Sequence, residues 1–564
     1  MGFVLSGFIN LLRALAWGLL LPMRLARAMK RPAFVRFKLS GDLPFREGFG
    51  RRRWWRRAPL SLDRFTRELA EVARDAHVVG VLIEVEHLRL SSAKIEVIRD
   101  VIATLKAAGK RVVGRSSHAG NPEYEVLSAC SEVVLPKTGR LDVLGYAIEV
   151  NAVAPFFKRL GVTAEFFRRG EWKTAPEFFT NATISVPRRQ ALEAILDERY
   201  ETLVDRIARG RGQAPDEVRR TIDAGPHRAS RALSAKLVDA LVGDADLDAH
   251  LTGQKLPEVS RAVASFAEHR ACKPWAMPTW RPMRRLPTIA VVPLVGMIVP
   301  GDGGQLPGGL RAVGGRTLVR TLKRLERERT EAVMLYVASP GGAAPPSEDI
   351  REAVARLAQE KPVVAYCDKV AASGGYLAAL GAKEIWAGHG AIVGSIGVYA
   401  GRFEASGLLQ RAGVHREIIS RGAHAALSTW SRPLTESERA ALDGEVGDTY
   451  AEFVNAVATA RRLSREDVLS RAEGRVFTAK AALDAKLIDG LGSFDAAAQR
   501  ALALANVPGR AFRTRWIETR ARPWRISQAI ELATQVNLWA VCPDAWTLQS
   551  TVDTPWFGGR GWAA

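Results

Sequence analysis

Cysteine is scarce in these 564 residues. There are four, Cys130, Cys272, Cys367 and Cys542, with no CxxC pair and no Cys/His spacing. That scatter excludes a disulfide framework and a zinc site of ordinary ligand spacing, so no metal is expected. Histidine is also thin, at nine. His118, His389 and His424 fall near loops of interest, but each reads as an exposed loop residue, and a Ser-His-Asp triad is left without a committed base. The glycine-rich stretches Gly301-Asp-Gly-Gly304 and Pro307-Gly-Gly309 are followed by no Gly-Lys-Ser/Thr. That removes a phosphate-binding loop, and no cofactor is expected. Acidic residues are the last deficit, 60 against 81 Lys and Arg, for a net charge of +21.

The basic excess is densest early, at Arg24, Arg27, Lys30 and Arg31 and again in Arg51-Arg-Arg-Trp-Trp-Arg-Arg57. Basic clusters interleaved with tryptophan suit an anionic membrane surface. No nucleic-acid recognition module accompanies them, so a nucleic-acid partner is not expected. Residues 1–23 are mostly apolar, interrupted by Arg13 and closed by Pro22. Two readings of this segment stand: a bilayer-spanning helix, or an amphipathic helix lying in the interface with Arg13 snorkelling.

A hydrophobic fraction of 47% and a charged fraction of 25% are those of a folded globular protein, and the length accommodates two large domains. Short runs rich in β-branched residues (Val79–Val85, Arg111–Gly114, Ile289–Val292, Ala332–Val337) alternate with amphipathic stretches such as Lys94–Ala107 and Ser347–Ala358. This alternation predicts α/β layers. The chain also repeats itself. Tyr124 and Tyr376, Glu132 and Glu384, Gly161-Val162 and Gly413-Val414, and Gly170 and Gly422 all stand 252 residues apart. Ala235-Lys-Leu-Val-Asp239 recurs as Ala485-Lys-Leu-Ile-Asp489 at a spacing of 250. Two copies of one α/β unit follow.

Chemistry concentrates in the second copy. Lys369-Val-Ala-Ala-Ser-Gly-Gly-Tyr376 places Ser373 between small residues, after the apolar strand Pro362–Cys367 and before an alanine-rich helix. A serine at such a turn can present its hydroxyl to a substrate carbonyl. Upstream, Ser339-Pro-Gly-Gly342 follows a strand and can offer backbone amides to an oxyanion, and Gly394-Ser-Ile-Gly397 carries a further serine, Ser395. The first copy has Asn121 where the second has Ser373, and the segment around Glu86–Leu90 where the second has Ser-Pro-Gly-Gly.

The order strand, SPGG, helix, strand, ASGGY, helix, GSIG resembles the signal peptide peptidase A (protease IV) family in its long, tandem form. The resemblance covers roughly residues 60–500. It implies an α/β fold with two tandem ClpP/crotonase-like domains from an internal duplication, plus an N-terminal membrane-associating segment. It also implies a serine endopeptidase with a Ser-Lys dyad, cutting extended apolar peptides such as released signal peptides. Gly170-Glu-Trp-Lys-Thr-Ala-Pro-Glu-Phe-Phe179 resembles the family stretch that carries the general base, here Lys173; the second copy has Ala425 at that place. A composite site where the two copies meet is therefore expected. Lysine serves as a base only when neutral, and burial among Trp172, Phe178 and Phe179 would favour that form, while Glu171 and Glu177 would oppose it if close. By the same resemblance Ser395 orients the lysine, and the amides of Gly341 or Gly342 together with Gly374 hold the oxyanion.

The expected organisation is a membrane-associating segment at 1–30, a basic linker at 31–60, a lysine-bearing domain at 61–285, a serine-bearing domain at 286–500, and a Trp/Arg-rich tail at 501–564. Peptide substrates, a membrane and a homotetramer are the partners implied, at a bacterial inner membrane and facing the periplasm by family resemblance. Basic residues after the anchor would instead hold that flank in the cytoplasm. A crotonase-like enzyme acting on CoA thioesters, or a scaffold without catalysis, are the alternatives. One departure from the family is Ala343-Ala-Pro-Pro346, where serine and valine-like residues are usual.

Overall fold

A computed structural model describes residues 2–22, 33–45, 60–253, 263–272, 286–305, 311–507, 509, 511–517, 522–523 and 537–541. The early basic cluster with Arg51–Arg57, the Pro307-Gly-Gly309 stretch, Cys542 and most of the tryptophan-rich tail lie outside the described residues. The described residues divide into two compact units, one built from those of 1–146 and 199–286, the other from those of 147–198 and 287–541.

The first unit is built on six strands in the order Val263–Ser265, Phe34–Gly41, Gly80–Leu88, Arg111–Arg115, Glu132–Leu135, Ala240–Leu241. All five junctions are parallel. Such strands bury both faces, which is why Val81, Leu82, Ile83 and Val85 run almost without interruption and lie fully buried. The second unit repeats the order with Arg513–Trp516, Thr288–Val295, Ala332–Ser339, Val363–Ala372, Glu384–Ala387 and Gly490–Leu491. Its core gathers Val292, Leu294, Leu335, Val337 and Cys367 under helices Gly315–Arg327 and Ala344–Glu360.

The duplication extends to individual bonds. Tyr124 donates to the Leu237 carbonyl at 2.6 Å, and Tyr376 donates to that of Leu487 at 2.7 Å. Asp239 accepts from the Val133 amide at 2.7 Å and pairs with Arg211. Asp489 does the same with the Ile385 amide, also at 2.7 Å, and with Arg461.

The chain passes from the first unit to the second at 286/287, but the units do not follow the two sequence copies throughout. Residues 147–198 belong by sequence to the first copy but pack in the second unit. Strand Thr163–Arg169 pairs antiparallel with Val398–Glu404 over seven residues, from Val398 opposite Arg169 to Glu404 opposite Thr163. Buried Glu165 pairs with buried Arg402 across that ladder at 2.7 Å, and Arg169 forks onto Asp443 with both bonds at 2.7 Å. These contacts belong to a second sheet of the same unit, ordered Arg522–Pro523, Gly303–Gln305, Arg311–Gly314, Met297–Val299, Gly341–Ala343, Asn537–Val541, Val398–Glu404, Thr163–Arg169.

At the N-terminus, Gly2–Leu19 forms a helix of 18 residues, about 27 Å long. Among the described residues no helix is long and apolar enough to cross a membrane. The spanning reading is therefore not met by this helix, which exposes Phe8, Leu11, Leu12, Leu15 and Leu19.

The carboxylate clamp sets a stability test. Asp489→Ala leaves the Ile385 amide and the Arg461 guanidinium without their shared acceptor, at a cost of about 2 kcal/mol. The melting midpoint should fall by roughly 5 °C. An unchanged midpoint in differential scanning fluorimetry would show that the clamp contributes nothing to the fold.

Candidate active site

Ser373 stands between the end of strand Val363–Ala372 and the start of helix Gly374–Ala379, at φ 54°, ψ −121°. A non-glycine residue rarely adopts a positive φ, and the site holds two such serines, since Ser395 is also at φ 54°. Hydrogen bonds fix both. The Ser373 amide donates to the Gly394 carbonyl and the Ser395 amide to that of Arg475, each at 2.7 Å. The small neighbours have a steric reason. A Cβ on Gly374 would fall 2.4 Å from Ser347 Oγ, and one on Gly375 2.7 Å from the Ser339 carbonyl oxygen.

Lys173 enters from the segment 147–198. Its Nζ lies 2.6 Å from Ser373 Oγ, 3.1 Å from Ser395 Oγ and 3.1 Å from the Ser395 carbonyl oxygen. All three residues are buried: Ser373 at 0%, Ser395 at 1% and Lys173 at 2% exposure. The second hydrogen bond of Ser373 Oγ goes to the Gly397 carbonyl at 3.4 Å. The structure thus unites Ser373, Lys173 and Ser395, and all three lie within the second unit rather than in one domain each.

The surroundings of Lys173 differ in part from the sequence expectation. Trp172 lies under the Arg475 guanidinium, 4.5 Å from ring centre to Cζ. Phe179 stacks on Phe166 and meets Phe178, Phe157 and Phe403 in an aromatic cluster. Glu171 is exposed. Glu177 is buried but pairs with Arg168 at 3.2 Å, and Arg168 also donates to the Lys173 carbonyl. The carboxylate therefore has its own counter-charge.

The expected oxyanion donors also separate. The Gly341 amide is engaged by Ser339 Oγ at 3.2 Å. Gly342 and Gly374 come together instead, with the Gly342 nitrogen 3.2 Å from where a Gly374 Cβ would stand. Next to them the strand Asn537–Val541 runs antiparallel to Gly341–Ala343 on one side and to Tyr399–Gly401 on the other.

Sequence reasoning missed the turn Glu473-Gly474-Arg475. The Glu473 carbonyl accepts from the Trp172 amide at 2.6 Å and its carboxylate from the Glu171 amide at 3.0 Å. Gly474, at φ 78°, passes so close that a Cβ there would lie 2.4 Å from the Lys173 nitrogen. The available signal was a Glu-Gly dipeptide between a helix pattern and a strand. The other candidates fall away. His118 pairs with Asp142, and His389 and His424 are exposed. The Cys367 thiol lies on the strand that leads to Ser373, but burial pushes its pKa up to about 12, which leaves it a poor nucleophile.

The first copy is closed to this chemistry. Asn121 takes the place of the serine, donates to the Gly145 carbonyl at 2.6 Å and accepts from the Leu144 amide at 3.1 Å. Two residues on, the buried Glu123 carboxylate accepts from the Leu88 amide at 2.6 Å.

The family model described as peptidase family S49 matches residues 104–255 and 355–508. Similar curated proteins include the chloroplastic serine protease SPPA of Arabidopsis thaliana, 27% identical over 80% of this chain and 66% of that one. Protease 4 of Salmonella typhi is 28% identical over 79% of this chain and 72% of that one. Protease 4 of Haemophilus influenzae is 27% identical over 77% and 71%. Among solved structures, a ClpP1 variant from Listeria monocytogenes is 13% identical, with a TM-score of 0.25 over 37% of this chain and 93% of that one.

The Gly474 approach gives a test of the lysine's placement. Gly474→Ala should preserve the melting midpoint within a few degrees while slowing fluorophosphonate labelling of Ser373 by about 100-fold, because displacement of order 1 Å suffices for that loss. Labelling at the original rate would show that the turn does not hold Lys173 in register.

Proposed function

The chain belongs to peptidase family S49 and is a serine-type peptidase, and on that premise we propose that it cuts extended apolar peptides with Ser373 as nucleophile and Lys173 as general base. The observation that carries this reading is the 2.6 Å contact between Lys173 Nζ and Ser373 Oγ, both buried and 200 residues apart in sequence. Removing an amine from water disfavours its charged form, which is the form that cannot accept a proton.

In the proposed mechanism Lys173 takes the hydroxyl proton as Ser373 Oγ attacks the scissile carbonyl. The tetrahedral oxyanion is held by the amides of Gly342 and Gly374. Collapse breaks the C–N bond, and Lys173 returns the proton to the leaving amine. Water, deprotonated by the same lysine, then hydrolyses the acyl-enzyme and frees Ser373. Ser395 orients the lysine through its hydroxyl and its carbonyl, both at 3.1 Å.

The preference for extended peptides is supported by the strand Asn537–Val541, whose backbone pairs with Gly341–Ala343 beside the nucleophile. A substrate strand would use the same ladder. A cavity of about 280 Å³, lined in part by Ala344, Pro345, Leu377, Val398 and Phe453, fits an apolar side chain. Released signal peptides have that chemistry. Membrane association rests on the exposed apolar residues of helix Gly2–Leu19, which suit the interface rather than a span.

A quenched leucine-rich peptide tests the dyad. Ser373→Ala and Lys173→Ala should each lower kcat/KM by at least about 1000-fold, and Ser395→Ala by about 10- to 100-fold. His424→Ala should leave it unchanged. Normal turnover by Lys173→Ala at neutral pH would overturn the split dyad even if Ser373 proved essential.

The strip beside the nucleophile gives a separate test. Ala540→Pro removes a ladder donor from the tail strand and should raise kcat/KM for short peptides several-fold. An unchanged value would mean that this strand and the substrate do not share a site.

A further inference from the structure

The cavity of about 280 Å³ near the nucleophile has two kinds of wall. Three of its residues follow closely on the reacting groups. Val398 comes directly after Gly397, whose carbonyl accepts from Ser373 Oγ at 3.4 Å. Leu377 lies one helical turn beyond Ser373 and donates its amide to the Ser373 carbonyl at 2.8 Å. Ala344 stands two residues past Gly342. The cavity therefore opens next to the place of a scissile carbonyl, and receives the side chain of the residue that supplies it. Its inner wall is apolar: Ala344, Leu377, Val398 and Phe453 are all buried.

The outer wall is acidic. Glu348 and Asp349 of helix Ala344–Glu360 line it, as does Glu452 of helix Glu436–Arg461. Among the described residues no basic side chain lines this cavity, although the chain as a whole carries a net charge of +21. Arg351 balances the first carboxylate, with its Nε 2.9 and 2.8 Å from the two Glu348 oxygens. Asp349 and Glu452 are exposed and form no ion pair among the described residues. A larger neighbouring cavity, of about 690 Å³, shares Asp349 but adds Arg316, Lys323 and Arg356, so its charge is mixed. Glu452 lines the smaller cavity and not the larger.

We propose that this cavity selects lysine or arginine as the residue that supplies the scissile carbonyl, with Glu452 as the main determinant and Asp349 assisting it. A long basic side chain lays its methylene stem along Leu377, Val398 and Phe453 and carries its cation out to the two carboxylates. A leucine fills only the inner part and leaves the rim to water. The substrate class is then an extended apolar peptide with a basic residue at the cut. A released signal peptide has such a junction, where its basic segment meets its apolar run. The inference rests on the reading of Ser373 as nucleophile, and its test separates the two.

Quenched apolar peptides differing at one residue provide that test: lysine against norleucine, which keeps the stem and drops the charge. Mass spectrometry of the products locates the cut. Wild type should cut after the lysine, with kcat/KM at least about 5-fold above that for norleucine, as expected from two exposed ion pairs. Glu452→Gln should lower this ratio by about 2- to 5-fold, the range for one such pair, and Glu452→Lys should bring it below that of Glu452→Gln. Raising the salt from about 0.05 M to about 0.5 M should roughly halve the wild-type ratio, because exposed charges are screened. A folding defect scales both peptides together, so the ratio reads the cavity alone. Norleucine cleavage with a wild-type ratio of one or less, with a ratio indifferent to Glu452→Lys, or with cuts that avoid the lysine would overturn the inference and leave the peptidase reading standing. Cleavage of neither peptide, together with no fluorophosphonate labelling of Ser373, would overturn both.

Discussion

The seven-residue ladder between Thr163–Arg169 and Val398–Glu404 is the interaction on which the site depends. Serine and lysine lie far apart in sequence, and nothing local brings them together. The ladder supplies the approach, and the buried Arg402–Glu165 pair within it fixes the register. A slip by one residue would turn every side chain of the arm to the other face and separate that pair, leaving buried Arg402 without its counter-charge. The turn Glu473-Gly474-Arg475 then grips the arm just beyond the strand, and the tolerance there is set by a glycine with no room for a methyl group. Sheet register and close backbone approach together convert a flexible lysine into a placed one.

The two copies show how one scaffold holds or loses a reactive group at the same point. In the second, a serine reaches the Gly397 carbonyl and keeps its hydroxyl beside an amine. In the first, an asparagine reaches the equivalent Gly145 carbonyl and spends its other atom on the Leu144 amide. Two residues on, Glu123 accepts from the Leu88 amide. Both solutions satisfy their buried polar groups, and only one leaves a hydroxyl beside an amine.

Much of this was legible in the residues. Alternation of apolar runs with amphipathic stretches foretold the α/β layers, and the constant spacing of Tyr124 with Tyr376 foretold two equivalent strand orders. Ser373, Lys173 and Ser395 were singled out from motifs, and they meet in one buried cluster. The excursion of one segment into the other unit was not legible, because sequence similarity tracks descent while packing tracks the sheet that a segment joins. Residues 147–198 descend with the first copy and pair with the second. Gly341 was indistinguishable from Gly342 by composition, and only the Ser339 hydroxyl separates them. Glu473 and Gly474 carried no chemical signature, since their role is to shape a backbone for a residue some 300 positions away.

The strain in the site has a single direction. Ser373 and Ser395 both hold positive φ, each at a cost of order 1–2 kcal/mol for a residue with a Cβ. At the strained torsions of Ser373 its hydroxyl lies 2.6 Å from the Lys173 amine of the arm. The same inversion at Ser395 lets its hydroxyl and its carbonyl face one lysine nitrogen at equal distances. Two hydrogen bonds of 2.7 Å, donated by these serines' amides to the Gly394 and Arg475 carbonyls, oppose relaxation. Glycine at either position would relieve the strain and remove the hydroxyl. A side chain lacking a hydroxyl would keep the strain and lose the contact with Lys173. The pair of unfavourable torsions therefore marks the place where packing energy from the rest of the unit is converted into the position of three polar atoms.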